Sequence, residues 1–391
     1  MNINDLLKIA IENDASDLHL KVGNPPVLRV NGELRPLTEL ARLMQEDTTA
    51  MAFSIMNARQ KQRLKDEFEV DLSYSVPGLG RFRCAAFHQR GNIGMVARII
   101  PSRILSIREL NLPPVLEKIC EARRGLVLCT GTTGSGKSTT LASMIHQINV
   151  ERSCHIITIE DPIEYVHRDR RSLVTQRELD VDTKSFGTAL RSALRQDPDV
   201  ILLGEMRDYE TIETALMAAE TGHLVFSTLH TLDATETITR MISVFPPHHQ
   251  QQIRLQLAQV LHAVVSLRLV PRADMNGRVP AAEVMVATPY IRDCIENKEK
   301  TKYIHDRIQQ GTSQYGMQTF DQSLYTLYKA GMINIDEAMK QASNADEFRL
   351  RLEGVQFTSD EALEEMEESI TIAGEPALVG DGAPVEWETG G

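Results

Sequence analysis

The chain has 391 residues, 42% hydrophobic and 25% charged, and its 42 Lys+Arg against 54 Asp+Glu give a formal net charge of −12. Such a length predicts two or three domains and at least one large core. No apolar run approaches the ~20 residues of a membrane-spanning helix, and Met1-Asn2-Ile3-Asn4-Asp5 lacks the basic-then-apolar pattern of a secretory signal, so export and membrane spanning are not expected.

Residues 1–100 read as a small α/β domain. Asp5 to Asn13 has helical spacing, and Asp17 to Val22 alternates as a strand does. Val27–Val30 and Glu33–Arg35 flank Asn31-Gly32, a two-residue hairpin signal. Thr48 to Asp66 reads as one helical stretch, followed by strands at Asp71–Val76, Arg81–Phe87 and Met95–Ile100. Pro101 to Pro114 is bounded by prolines and breaks the hydrophobic pattern, which marks a linker over 101–114.

Strands then alternate with helices over 115–288, which predicts a parallel, doubly wound sheet. The strands fall at Gly125–Thr130, His155–Ile159, Val200–Leu203 and Leu224–Thr228; the helices at Lys137–Val150, Ser185–Gln196, Tyr209–Thr221, Thr235–Ser243 and His248–Val265. Residues 289–352 are helical with short breaks. From Glu353 onward there are eleven Asp/Glu and no Lys or Arg, so this acidic tail carries −11 of the net −12. Its composition is that of a disordered segment over 353–391, and the single Trp, Trp387, lies within it. The five cysteines are odd in number and none are spaced C-x-x-C, as expected of reduced thiols in a cytoplasmic protein rather than a disulfide framework or zinc ribbon.

One motif dominates the chemistry. Gly131-Thr132-Thr133-Gly134-Ser135-Gly136-Lys137-Ser138-Thr139 matches G-x-x-x-x-G-K-[ST] after an apolar strand and before a helix. Glycines let successive amides curl round an anion, and the helix adds its positive end. Lys137 supplies charge for the β- and γ-phosphates, and the Ser138 hydroxyl is a ligand for Mg²⁺. No Asn-Lys-x-Asp guanine-reading pattern follows, which favours ATP.

Three further strands end in polar side chains where ligands bind in open parallel sheets. Glu205 follows Val200–Leu203 and is placed to polarise an attacking water. His155–Tyr165 delivers Glu160, Asp161 and Glu164 within five positions, a crowding that a magnesium-nucleotide relieves. His230 ends the third strand and can donate to the γ-phosphate. Glu205, Glu160, Glu164 and His230 are therefore the catalytic candidates. Arg168-Asp169-Arg170-Arg171 is a local basic run that a solvated loop explains, and no nucleic-acid partner is expected.

In this order the phosphate loop at 131–139, an "Asp box" at 155–165, a Walker B strand at 197–208 and a "His box" at 222–234 resemble the secretion-ATPase superfamily, and within it the type IV pilus retraction ATPases, the PilT/PilU family. Ala15–Leu20 and Gly316–Gln322 also resemble that family, and the longer N-terminal region and four-cysteine zinc site usual in assembly ATPases are not seen. Thr132 stands where relatives often have Pro, and the family octapeptide survives at Tyr290–Asn297 only as an Ile-Arg core and one further Ile.

The resemblance implies a RecA-like P-loop ATPase domain, a small PAS-like N-terminal α/β domain and a helical C-terminal region. It implies a cytoplasmic homohexamer, peripheral at the inner-membrane face, working on a platform protein and on a possible PilT/PilU paralogue. Arg81, Arg83 and Arg98 match family arginines that reach the phosphates. ATP binding would close the domains and hydrolysis release them, to power pilus retraction and twitching. A PilU-like accessory, a type II secretion or assembly ATPase, and a nucleotide-gated switch with little turnover remain alternatives.

Overall fold

The computed structural model describes residues 2–101, 103–275 and 277–353; the expectation of a disordered tail lies almost wholly outside them. In chain order the first elements are α1 (Ile3–Glu12), β1 (Asp17–Leu20), β2 (Val27–Val30), β3 (Glu33–Pro36), α2 (Gln45–Ser54), α3 (Ala58–Glu67), β4 (Glu69–Val76), β5 (Gly80–Gln89) and β6 (Asn92–Ile100). Next come α4 (Val115–Cys120), β7 (Gly125–Thr130), α5 (Lys137–Glu151), β8 (His155–Glu160), β9 (Leu173–Glu178), α6 (Phe186–Ala193), β10 (Val200–Leu203), α7 (Tyr209–Glu220), β11 (Leu224–Leu229) and α8 (Ala234–Ser243). Then follow α9 (Gln250–Val260), β12 (Leu261–Pro271), β13 (Arg278–Val286) and short helices α10 (Pro289–Glu296) through to a last one at Ala345–Leu352. This is the α/β class expected.

The chain divides into two compact units, Met1–Ile104 with Ile148–Glu205, and Leu105–Gln147 with Met206–Gly391. In the first unit, six antiparallel strands run in the order β3-β2-β1-β6-β5-β4. The helix α1 starts where the Asn2 side chain accepts the Asn4 amide at 3.1 Å. It buries Ile3, Leu6, Leu7 and Ala10 in a core shared with Leu18, Leu28, Phe82, Cys84 and Met95. The same unit holds β8 between β10 and β9, all three parallel.

In the second unit β7 lies between β11 and β12 and is parallel to both, and β13 runs antiparallel along β12. Both β7 and β11 are buried throughout, so their sequences are continuous apolar runs rather than alternating ones. A second core packs Val270, Val279 and Ala281 against Phe320, Leu324 and Phe348 of the C-terminal helices.

Two elements differ from expectation. The stretch Thr48–Asp66 is not one helix: Asn57 caps a new start by accepting the Gln60 amide at 2.9 Å, and the Gln60 side chain accepts the Asn57 amide in return. The expected helix His248–Val265 is helical only to Val260; Leu261 begins an eleven-residue strand, β12. Four of the five cysteines are buried, and burial alone pushes the Cys84 thiol up to about 12.

Candidate functional site

The phosphate loop leaves the carboxyl end of β7. Three of its residues, Gly131, Gly134 and Gly136, have φ of +136°, +76° and +99°, a region that favours glycine. Gly131 is doubly constrained: a Cβ there would sit 2.5 Å from the Leu267 carbonyl oxygen and 2.6 Å from Ser135 Oγ. Lys137 opens α5, is 9% exposed, and donates from Nζ to the Gly131 and Thr132 carbonyls at 2.8 and 2.9 Å. The ammonium is thus folded back over the loop, where it can exchange these two carbonyls for oxygens of an anion. Thr133, Gly134 and Ser138 are exposed, Thr139 is half-buried, and Ser135 is buried with no hydrogen-bond partner for Oγ among the described residues.

The parallel register pairs Leu229 of β11 with Thr130 of β7. His230 and Gly131 therefore leave the same sheet end at the same level, and His230 is exposed. The segment after His230 is stapled: Leu232 N donates to Glu236 Oε2 at 2.8 Å, and Thr231 and Thr237 hydroxyls meet at 2.6 Å.

Beside the loop lies a cavity of about 400 Å³, lined by Leu105, Leu110, Leu112, Leu269 and Pro280 together with Gly136, Thr139 and Thr140. Glu109, Arg272, Asp274 and Arg278 line it as well, so the space beside the loop has both apolar and charged walls. Three of those leucines come from the linker, which sequence reading treated as a connection only.

Within the first unit the carboxylates also gather at a strand end. Leu203 pairs with Ile159 in parallel register, so Glu160, the last residue of β8, and Glu205, two residues past the end of β10, lie at nearly one level. A Cβ on Gly204 would meet the Glu160 backbone at 3.4 Å. Burial raises the Glu160 pKa above its ordinary value; bonds from Thr158 Oγ1 at 2.7 Å and Gln176 Nε2 at 3.1 Å oppose this, as does the Glu164 amide, while the Glu164 charge adds to it. Glu160 and Glu164 thus sit together; Glu164 itself is exposed.

The three arginines share one face of the antiparallel sheet. Arg83 lies opposite Arg98, and Arg81 is two residues from Arg83 on the same strand. Like charges directly opposite are unfavourable without an intervening anion. Carboxylates fill that role for two of them: Arg81 Nη2 donates to Glu178 Oε2 at 2.5 Å, and Arg98 Nε to Asp17 Oδ1 at 2.9 Å. Arg83 lines a cavity of about 560 Å³ with Arg59, Arg63 and Asp161.

Glu178 is the residue that sequence reading missed. It is 3% exposed and also accepts from Ser73 Oγ at 2.6 Å and the Ile163 amide at 3.0 Å, so one carboxylate joins the antiparallel sheet to the Asp-box loop. It ends β9, a strand that sequence reading did not place, and no local pattern distinguishes it.

Among the described residues no three His, Cys, Asp or Glu side chains form a metal-holding cluster. An exposed hydroxyl at the first turn of α5, Ser138, suits an ion that arrives with a triphosphate and keeps most of its ligands from phosphate and water.

A model of the family described as "Type II/IV secretion system protein" matches residues 1–340. The chain belongs to that family. Among secretion-system family members, it is 46% identical over 348 residues to the type IV pilus retraction ATPase PilT of Pseudomonas aeruginosa, covering 89% of this chain and 100% of that protein. It is 41% identical to the type IV pilus ATPase PilU of the same organism, over 90% of this chain and 91% of that one. The crystal structure of the pilus retraction motor PilT with bound ADP superposes with a TM-score of 0.83 at 46% identity, covering 89% of this chain and 98% of that chain. No helix among the described residues is long and apolar enough to cross a membrane.

Proposed function

We propose that this chain is an ATP-hydrolysing motor that retracts type IV pili and so drives twitching motility. The observation that carries the reading is an intact phosphate cradle, with Lys137 folded over positive-φ glycines, in a chain 46% identical to a retraction ATPase along that protein's whole length.

In this reading the amides of Gly131, Thr133, Gly134, Ser135 and Gly136 and the start of α5 hold the phosphates. Lys137 Nζ neutralises the β- and γ-oxygens, and Thr139 borders the cavity beside the loop. Ser138 would hold Mg²⁺, which would supply positive charge beside the phosphates. His230 donates to that group. Glu205, by its place after the Walker B strand, takes the proton of the attacking water. Glu160, whose pKa is raised by burial and by the Glu164 charge, is a second group to accept or return a proton. Arg83, with Arg81 and Arg98 once released from Glu178 and Asp17, adds cations for the phosphates. The working form is a homohexamer in the cytoplasm, peripheral at the inner membrane on a platform protein.

The test is phosphate release by purified chain, paired with pili and motility in a strain lacking it. Turnover that is abolished by Lys137→Ala, together with excess pili and lost movement in the deletion strain, is the expected result. Bald cells would instead indicate an assembly motor; ATP binding without turnover would indicate a switch or a PilU-like accessory.

A further inference from the structure

Thr130, Ser266 and Glu283 form a polar row across three neighbouring strands: Thr130 pairs with Ser266, and Ser266 with Glu283. All three are buried, at 0%, 0% and 3% exposure, and Thr130 Oγ1 donates to Ser266 Oγ at 2.9 Å. One end of the row is the residue that precedes the phosphate loop. At the other end, Glu283 Oε1 accepts the Ala234 amide at 2.8 Å, at the first residue of α8 and four residues after His230. Asp233 caps that helix by accepting the Glu236 amide at 2.7 Å.

Arg268 lies two residues beyond Ser266, on the same face of β12. Its guanidinium stacks 3.8 Å from the Phe320 ring centre and donates to the Gln341 carbonyl and to Ser343 Oγ. Asp321 accepts the Ser343 and Asn344 amides at 2.6 and 3.0 Å. The titratable and charged groups facing Glu283 are therefore Asp233 from the His230 segment, Arg268 from its own sheet, and Asp321 from the C-terminal helices.

The geometry assigns to Glu283 a positioning role: it ties the His230 segment to β13, whose register through β12 leads to the strand that carries the phosphate loop, and the C-terminal helices bias that tie through Arg268 and Asp321. A carboxylate is not needed for packing among Ala281, Ala282 and Val284, and burying one is costly unless its bonds do something a hydrocarbon cannot. Burial pushes the Glu283 carboxyl up to about 7, against the Ala234 amide and Arg268 and with the charges of Asp233 and Asp321. The tie accordingly changes charge near neutral pH.

This inference rests on the ATPase reading, and its test separates the two. ATP turnover of the full chain is measured from pH 6 to 9 for the parent, Glu283→Gln, Glu283→Ala and Ser266→Ala, with Lys137→Ala as control. Glu283→Ala is expected to lower kcat about tenfold or more while KM for ATP moves less than about threefold, the pattern of a misplaced reacting group. Glu283→Gln keeps an acceptor for Ala234 and is expected to hold the acid-plateau kcat across the range, without the parent's step near pH 7. Should Glu283→Ala not fold, the Gln pH profile decides alone. A parental pH step in Glu283→Gln, or a kcat loss in Glu283→Ala that merely follows its thermal unfolding, overturns the assignment. Turnover surviving in Lys137→Ala would overturn the ATPase reading instead.

Discussion

Glu160 and Glu178 lie side by side in the parallel register of β8 and β9, yet Glu178 carries an arginine while Glu160 accepts from a threonine hydroxyl, a glutamine amide and the Glu164 amide. Two neighbouring carboxylates, one buried and one half-buried, thereby have different surroundings. Glu178 is matched by a cation and bridges to Ser73 and the Ile163 amide, whereas burial raises the Glu160 pKa above its ordinary value.

The Arg81–Glu178 pair is well shielded, with side-chain exposures of 21% and 5%. Glu178→Ala strands Arg81, Ser73 and the Ile163 amide, and is expected to destabilise the fold by about 3 kcal/mol. Urea unfolding of Glu178→Ala, Arg81→Ala and the double variant checks this: a coupling energy above about 1 kcal/mol is expected, and strict additivity would contradict it.

Gly131 and Gly134 provide an internal comparison. Gly131→Ala drives a methyl into the Leu267 carbonyl, whereas the same change at Gly134 meets open space and only the strain of positive φ. Nucleotide binding by calorimetry should be lost for Gly131→Ala, with a stability cost of about 2–4 kcal/mol; Gly134→Ala should cost about 1 kcal/mol.

Glu205→Gln should keep its affinity for ATP and lose turnover about a hundredfold or more, since the amide cannot take a proton. Equilibrium binding of a fluorescent ATP analogue beside a phosphate-release assay separates the two effects. Equal loss of binding would assign Glu205 to ligand binding instead.

Stability should depend on pH through Glu283. Its pKa is raised in the folded chain to about 7, from an ordinary 4.5. The native state then binds more protons than the unfolded one between these values, so stability falls as pH rises from about 4.5 to about 7 and is flat above. Glu283→Gln removes this dependence. It should unfold at higher denaturant than the parent at pH 8, by the equivalent of about 1–3 kcal/mol, and lose that advantage below pH 5. An advantage that persists at pH 5 would argue against a neutral buried acid.

Much of this was legible without a fold. The phosphate loop needs only local information, because three glycines, a lysine and a hydroxyl at fixed spacing dictate the curl and the helix start. Strand-end residues such as Glu205 and His230 were visible because buried parallel strands write continuous apolar runs with abrupt polar ends. The break at Asn57 was written too, as an Asn-x-x-Gln capping box, although apolar spacing alone ran through it. What local pattern did not carry is β12: Leu261–Val265 is apolar except for His262, with no alternation to distinguish helix from strand, and pairing with β7 and β13 makes it a strand. Glu178 and Glu283 were invisible for the same reason. A buried carboxylate is defined by the partners that satisfy it, and these lie 105 residues away at Ser73 and 49 residues away at Ala234. Short-range spacing determined which groups can grip a phosphate; long-range register decided which acids are buried, which partners they meet, and what each one holds in place.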